Sequence, residues 1–140
     1  MLIFKDGANG PYSLSVEFHT QLDPLTRFAV EDLQEVVSKR FGSDLTVTCV
    51  LRTPSQNEEV GGVKQSAHIP GVDGIGRAVD LRSSSFTEAE KAFILKYMEK
   101  RWGPVVHFIL HNAGTAPHFH LNVNYQYARA QAYVAAGLLA

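Results

Sequence analysis

Apolar and polar positions alternate along this chain in short runs that predict strands interleaved with helices. Leu14, Val16 and Phe18 alternate with Ser15, Glu17 and His19, a period of two that predicts a first strand. Asp23-Pro24 then reads as the N-cap and first position of a helix. That helix carries Leu25, Phe28, Ala29, Leu33, Val36 and Val37 at helical spacing and ends near Phe41-Gly42. A strand is expected from Leu45 to Arg52, with Leu45, Val47, Cys49 and Leu51 on its buried face and Arg52 on the other. Cys49 reads there as a small core residue. Residues Thr53 to Ile75 form a long loop, a length often associated with function.

The second half repeats the scheme. Arg77 to Arg82 predicts a short strand, Val79 and Leu81 facing inward, Ala78, Asp80 and Arg82 outward. Thr87 and Glu90 form a capping box for a helix with Phe93, Ile94, Tyr97, Met98 and Trp102 as its apolar residues. Gly103-Pro104 stops it. Strands follow at Val105–Leu110, with Val106, Phe108 and Leu110 on one side, and at His118–Asn124. An Ala-rich helix is expected from about Gln126. Each strand turns an apolar stripe one way and its polar residues the other. This implies one α+β domain over residues 1–140, a small antiparallel sheet with helices packed on one face and a cleft on the other.

The chemistry lies on the polar faces. Phe119, Leu121 and Val123 share one side of their strand; His118, His120, Asn122 and Asn124 share the other. Two imidazoles on an open face suit metal or proton chemistry, and the plain alternative is a pair of surface histidines. His68 stands in a turn-rich stretch with Pro70, Gly71, Gly74 and Gly76 that leads into the Asp80 strand. His68, Asp80 and His120 together give two imidazoles and a carboxylate, a ligand set for a catalytic zinc with its fourth position left to water. His111 either lines the cleft or stabilises the turn after it. Ser66 is placed to hydrogen-bond near the metal, and His19 reads as a surface residue. Gly74-Ile-Gly76 precedes a strand and so is not a dinucleotide fingerprint.

Composition narrows the class further. With 140 residues, 45% hydrophobic and 19% charged, the chain fits one globular domain. A net charge of −1 gives no case for nucleic-acid or membrane-surface binding. One cysteine excludes an internal disulfide framework. No signal peptide or transmembrane segment is visible, so a cytoplasmic product is expected, one that meets its substrate after release or delivery on a virion.

Val47-Thr48-Cys49-Val50-Leu51-Arg52-Thr53-Pro54, Asn57, Val60-Gly61-Gly62, Ser66-x-His68, Gly76-x-Ala78-x-Asp80 and His118-x-His120 occur in one order over residues 45–124. As a set they resemble the zinc D-Ala-D-Ala carboxypeptidase and L-alanyl-D-glutamate endopeptidase family. Its members cleave peptidoglycan, many are carried by bacteriophages, and they share a metal site with lysostaphin-type enzymes and the hedgehog domain. The resemblance implies zinc held by His68, Asp80 and His120, and an Arg52 that steadies the tetrahedral intermediate. It implies a peptidoglycan stem peptide as substrate, cut at L-Ala-D-Glu or at a D-Ala-containing bond. Two departures stand out. Eleven residues separate His68 from Asp80, more than the family uses, a surplus a Gly- and Pro-containing loop can absorb. Where many members carry an acidic general base three residues before the last histidine, this chain has Pro117. His118 is the remaining candidate for proton transfer, with His111, Glu58 and Glu59 next. A catalytically silent zinc domain that binds wall fragments or a protein, or a structural virion component, are the competing readings.

Overall fold

The computed structural model describes residues 1–6, 13–59, 66–71, 73–112 and 117–124. The helix expected from Gln126 and the Val60-Gly61-Gly62 motif lie outside them. In chain order the elements are β1 (Leu2–Phe4), α1 (Leu14–Thr20), α2 (Pro24–Phe41), β2 (Leu45–Cys49), α3 (Pro54–Glu59), β3 (Ala78–Arg82), α4 (Glu88–Trp102), β4 (Val106–His111) and β5 (His118–Val123).

The strongest local signals set the ends of the two long helices. Asp23 Oδ1 accepts from the amides of Leu25 at 2.9 Å and Thr26 at 3.4 Å, and Pro24 takes the position where no amide partner is needed. Gly42 closes α2 in the left-handed conformation, φ 64°, its N–H donating to Ser38 O. The capping box of α4 is reciprocal: Glu90 N–H donates to Thr87 Oγ1 at 3.1 Å and Thr87 N–H to Glu90 Oε1 at 2.9 Å. Each such cap stabilises its helix by about 1 kcal/mol.

Residues 14–19, expected as a strand, are helical instead. Ser13 Oγ accepts from Val16 N–H, and Asp6 Oδ2 accepts from Leu14 N–H at 2.8 Å, so the free amides of the first turn have partners. In so short a run Leu14 and Phe18 fit a period of two and a helical i,i+4 pair equally well. Capping decides for the helix, and only Phe18 of its residues is fully buried.

The strands form one sheet in the order β1-β2-β3-β5-β4. β2–β3, β3–β5 and β5–β4 are antiparallel, whereas β1 joins β2 in parallel, Leu2 facing Leu45 and Phe4 facing Val47. The expected antiparallel sheet thus becomes a mixed one. The crossover through α1 and α2 brings the chain back in its original direction, as a parallel pair requires. Leu45, Val47, Val79, Leu81, Phe119, Leu121 and Val123 bury one face of the sheet in a core shared with Ala29, Val30, Leu33 and Val37 of α2 and Ile94, Met98 and Trp102 of α4. Asp32 ties the two helices together, accepting from Tyr97 Oη and Trp102 Nε1, both at 2.9 Å. The other sheet face carries the polar residues.

Candidate metal centre

The β3–β5 pairing is regular. It sets Asp80 opposite His120 and Arg82 opposite His118, and on the far side of β5 the β4–β5 pairing sets His111 opposite His118. Directly paired residues point to the same face, so these side chains share the face away from the core. On β2 the register slips by one residue between Val47, opposite Leu81, and Cys49, opposite Asp80. This bulge corrects the expectation for Cys49. A strict alternation would bury it beside Val47, but the extra residue turns it toward Asp80, half-buried, with Sγ 3.7 Å from His68 Nδ1.

His68 arrives from the loop and is almost fully enclosed, with 1% of its surface exposed. Its backbone is fixed on both sides: its carbonyl accepts from Arg52 N–H at 2.9 Å, and its amide donates to Ser66 Oγ at 3.2 Å. Ser66 therefore supports the site through the backbone. The surplus in the His68–Asp80 spacer folds back on itself, with Gly74 at φ 75°, Gly74 N–H donating to Gly71 O and Gly71 N–H to Ile75 O. Gly76 closes the excursion against Gln21 and Leu51, where an added Cβ would stand 2.5 Å from Leu51 Cδ2.

Asp80, buried, is the hub. Its Oδ1 lies 3.1 Å from His68 Nε2 and 3.0 Å from His120 Nδ1. Its Oδ2 accepts from Arg52 Nη2 at 3.1 Å and lies 3.6 Å from His118 Nε2. The other arm of Arg52, Nη1, donates to Asn57 Oδ1 at 3.0 Å. Each imidazole facing Oδ1 has an oxygen at its far nitrogen: Val50 O is 2.9 Å from His68 Nδ1, and Asn122 Oδ1 is 2.9 Å from His120 Nε2.

These contacts dictate proton positions. A carbonyl only accepts, so His68 Nδ1 carries a hydrogen, and an ionised carboxylate also only accepts, so Nε2 must carry one too. Burial by itself would depress the His68 pKa. The hydrogen bonds of its ring to Asp80 and Cys49, together with the Asp80 charge, outweigh it and raise it to about 9. Burial would likewise raise the Asp80 pKa, but the hydrogen bonds and charge of the histidines hold its carboxyl well below the usual carboxylate range. A cation in place of the protons between Oδ1 and the two ring nitrogens would use those same lone pairs. It would leave the outer N–H groups donating to Val50 and Asn122, the arrangement that orients metal-bound histidines. The donor set therefore fits a metal. Cys49, His68 and Asp80 also place ligand atoms within 4.8 Å of one another, but Cys49 lies by Nδ1, the nitrogen committed to Val50.

His111 joins the cleft face, its ring centroid 5.3 Å from that of His118, and His107 approaches His120 at 6.3 Å. His19 is remote, an exposed residue of α1 whose Nδ1 bonds Ser15 O. Glu58 and Glu59 are exposed on α3. Pro117 offers only its carbonyl, which accepts from Ser83 Oγ at 2.8 Å. Sequence reasoning noted Asn57 and Asn122 but gave them no role. For Asn122 the signal was present, because its alternation with Leu121 and Val123 shares the face of His120.

A buried carboxylate faced by two oriented imidazoles on an open sheet face is a donor set able to hold a metal ion. The family model described as Peptidase M15 matches residues 16–111, and the chain belongs to that family of zinc-dependent metallopeptidases. The matched span contains Arg52, His68 and Asp80 and ends before His118 and His120. No curated protein and no solved structure matches the chain. Among the described residues, no helix is long and apolar enough to cross a membrane.

Proposed function

We propose that this protein is a zinc peptidase of one domain that hydrolyses a stem-peptide bond of peptidoglycan, at L-Ala-D-Glu or at a D-Ala-containing linkage, as in phage wall-degrading enzymes. The observation that carries the reading is the convergence of His68 Nε2 and His120 Nδ1 on Asp80 Oδ1, each ring held by an acceptor at its outer nitrogen. His68, Asp80 and His120 would hold the ion, which supplies Lewis acidity toward the scissile carbonyl and an acidified water near neutral pH. Arg52 fixes Asp80 through Nη2 and contributes its remaining N–H donors to the developing oxyanion. His118, on the same strand face as His120 and near Asp80 Oδ2, receives the proton of the attacking water and passes it to the leaving amine. It does so in place of the acidic residue that Pro117 replaces.

Digestion of purified peptidoglycan by the zinc-loaded protein, followed by mass analysis of the fragments, tests the reading and identifies the bond. New amino termini at one stem-peptide position are expected; intact stems with zinc bound would refute it. Pro117 favours one second reading, a catalytically silent zinc domain that binds wall fragments. Sedimentation with intact, uncleaved peptidoglycan would select it.

A further inference from the structure

Asp80 has an imidazole pair at each of its oxygens. At Oδ1 lie His68 and His120, their ring centroids 5.2 Å apart and their planes at 71°. At Oδ2, 3.6 Å away, lies His118 Nε2. His111 is the direct cross-strand partner of His118, with ring centroids 5.3 Å apart and planes at 77°. The second pair thus repeats the geometry of the first.

That geometry is the one a shared ion demands. With Zn–N bonds of about 2.0–2.1 Å and near-tetrahedral angles, two imidazoles on one zinc have their ring centres about 5 Å apart. His107 and His120, at 6.3 Å, exceed this spacing, so not every histidine pair on the face meets it. Two ligand atoms of one zinc also lie no more than about 4.2 Å apart. His118 Nε2 and Asp80 Oδ2 are inside that limit. His111 is exposed and the His118 side chain keeps 17% of its surface, so a cation reaches both from solvent. The two sides are not equal in strength. Arg52 Nη2 already donates to Oδ2 at 3.1 Å, and its charge opposes a cation there.

We propose that His111 and His118, with Asp80 Oδ2 as third donor, form a second divalent-cation site, weaker than the His68, Asp80 and His120 centre and filled when zinc is in excess. Asp80 then bridges two ions, one on each oxygen. Two imidazoles in the ligand set favour zinc, copper or nickel over magnesium and calcium. Protein dialysed free of excess metal keeps only the zinc of the first centre. The consequence for turnover rests on the peptidase reading above. An ion on His118 occupies the lone pair that takes the proton of the attacking water, so excess zinc switches the enzyme off.

The test is a zinc titration of metal-free protein by calorimetry, repeated with cobalt(II), whose absorption reports on the ligands of each ion. It compares the parent, His111→Ala and His19→Ala, the last removing an exposed histidine remote from the cleft. The parent should take up two equivalents in two steps, the second weaker. His111→Ala should keep the first step and lose the second, and His19→Ala should match the parent. A parent that binds one equivalent only, or a second equivalent that survives in His111→Ala, would overturn the site. Cleavage of a stem peptide at one and at several equivalents of zinc reads the consequence. Filling the second site should slow the parent about 10²–10⁴-fold, the loss of a general base, and His111→Ala should run at one rate at both zinc levels. Undiminished cleavage by the parent with two ions bound would overturn the inhibitory role. If the parent cleaves at neither level yet binds its second ion through His111, the peptidase reading fails and the site stands.

Discussion

Replacing Asp80 by alanine probes a buried carboxylate that faces Arg52, His68, His118 and His120. The substitution strips the partner from His68 Nε2, His120 Nδ1 and Arg52 Nη2, which lie 3.1, 3.0 and 3.1 Å from its oxygens. His68 is enclosed and cannot turn to solvent, and the Arg52 side chain keeps only 18% of its surface exposed. Removing one member of a buried ion pair costs about 3–5 kcal/mol, because the charge left behind is uncompensated. His68 relieves part of this by shedding a proton, so the lower end, about 3 kcal/mol, is expected near neutral pH. For a domain of this size that lowers Tm by roughly 10 °C. Asp80→Asn should cost less, since a carboxamide N–H can donate to the deprotonated Nε2.

The pH dependence carries the same signature. In the metal-free protein His68 is raised from 6.5 to about 9, so its contribution is complete below 6.5 and is lost as pH climbs through 9. Asp80 is depressed, so its contribution is present above 3.8 and is lost as pH falls toward its low folded value. Chelated parent protein should therefore lose stability between pH 6.5 and 9, and Asp80→Ala should flatten that slope. Urea unfolding of both proteins in chelator across this window is the assay. An unchanged midpoint and slope in Asp80→Ala would refute the hub, and zinc retained at full stoichiometry would refute its role as a ligand.

Further consequences concern the metal and its neighbours. Metal analysis should find one zinc per chain, lost in His68→Ala and in His120→Ala; full occupancy in both would sink the ligand assignment. Arg52→Ala should lower kcat about 10²–10³-fold while keeping zinc, because Arg52 holds Oδ2 and the histidines face Oδ1. A change in KM alone would make Arg52 a substrate-binding residue instead. His118→Ala, with zinc content verified, should cost about 10²–10⁴-fold and remove the acidic limb of the kcat/KM profile. Survival of that limb would move the base to His111 or to an acidic residue of α3.

What was readable in the sequence followed local rules. Caps at Asp23, Thr87 and Gly42 act within one helical turn, and alternation over Val79–Leu81 and Phe119–Val123 assigns faces to any regular strand, so the helix ends and the shared face of Asp80, His118 and His120 were legible. The first helix was not, because Leu14 to His19 satisfies both periods and the deciding bond comes from Asp6, eight residues upstream. Nor was the place of Cys49, since a bulge is a relation between two strands and leaves no mark on one. The parallel seat of β1, the pairing of Arg52 with Asp80 across 28 residues, and the row of Arg82, His118 and His111 are likewise products of register. Sequence fixes which face a residue takes along its own strand; only the packed sheet decides which residue of another strand lies beside it, because backbone hydrogen bonds set that alignment.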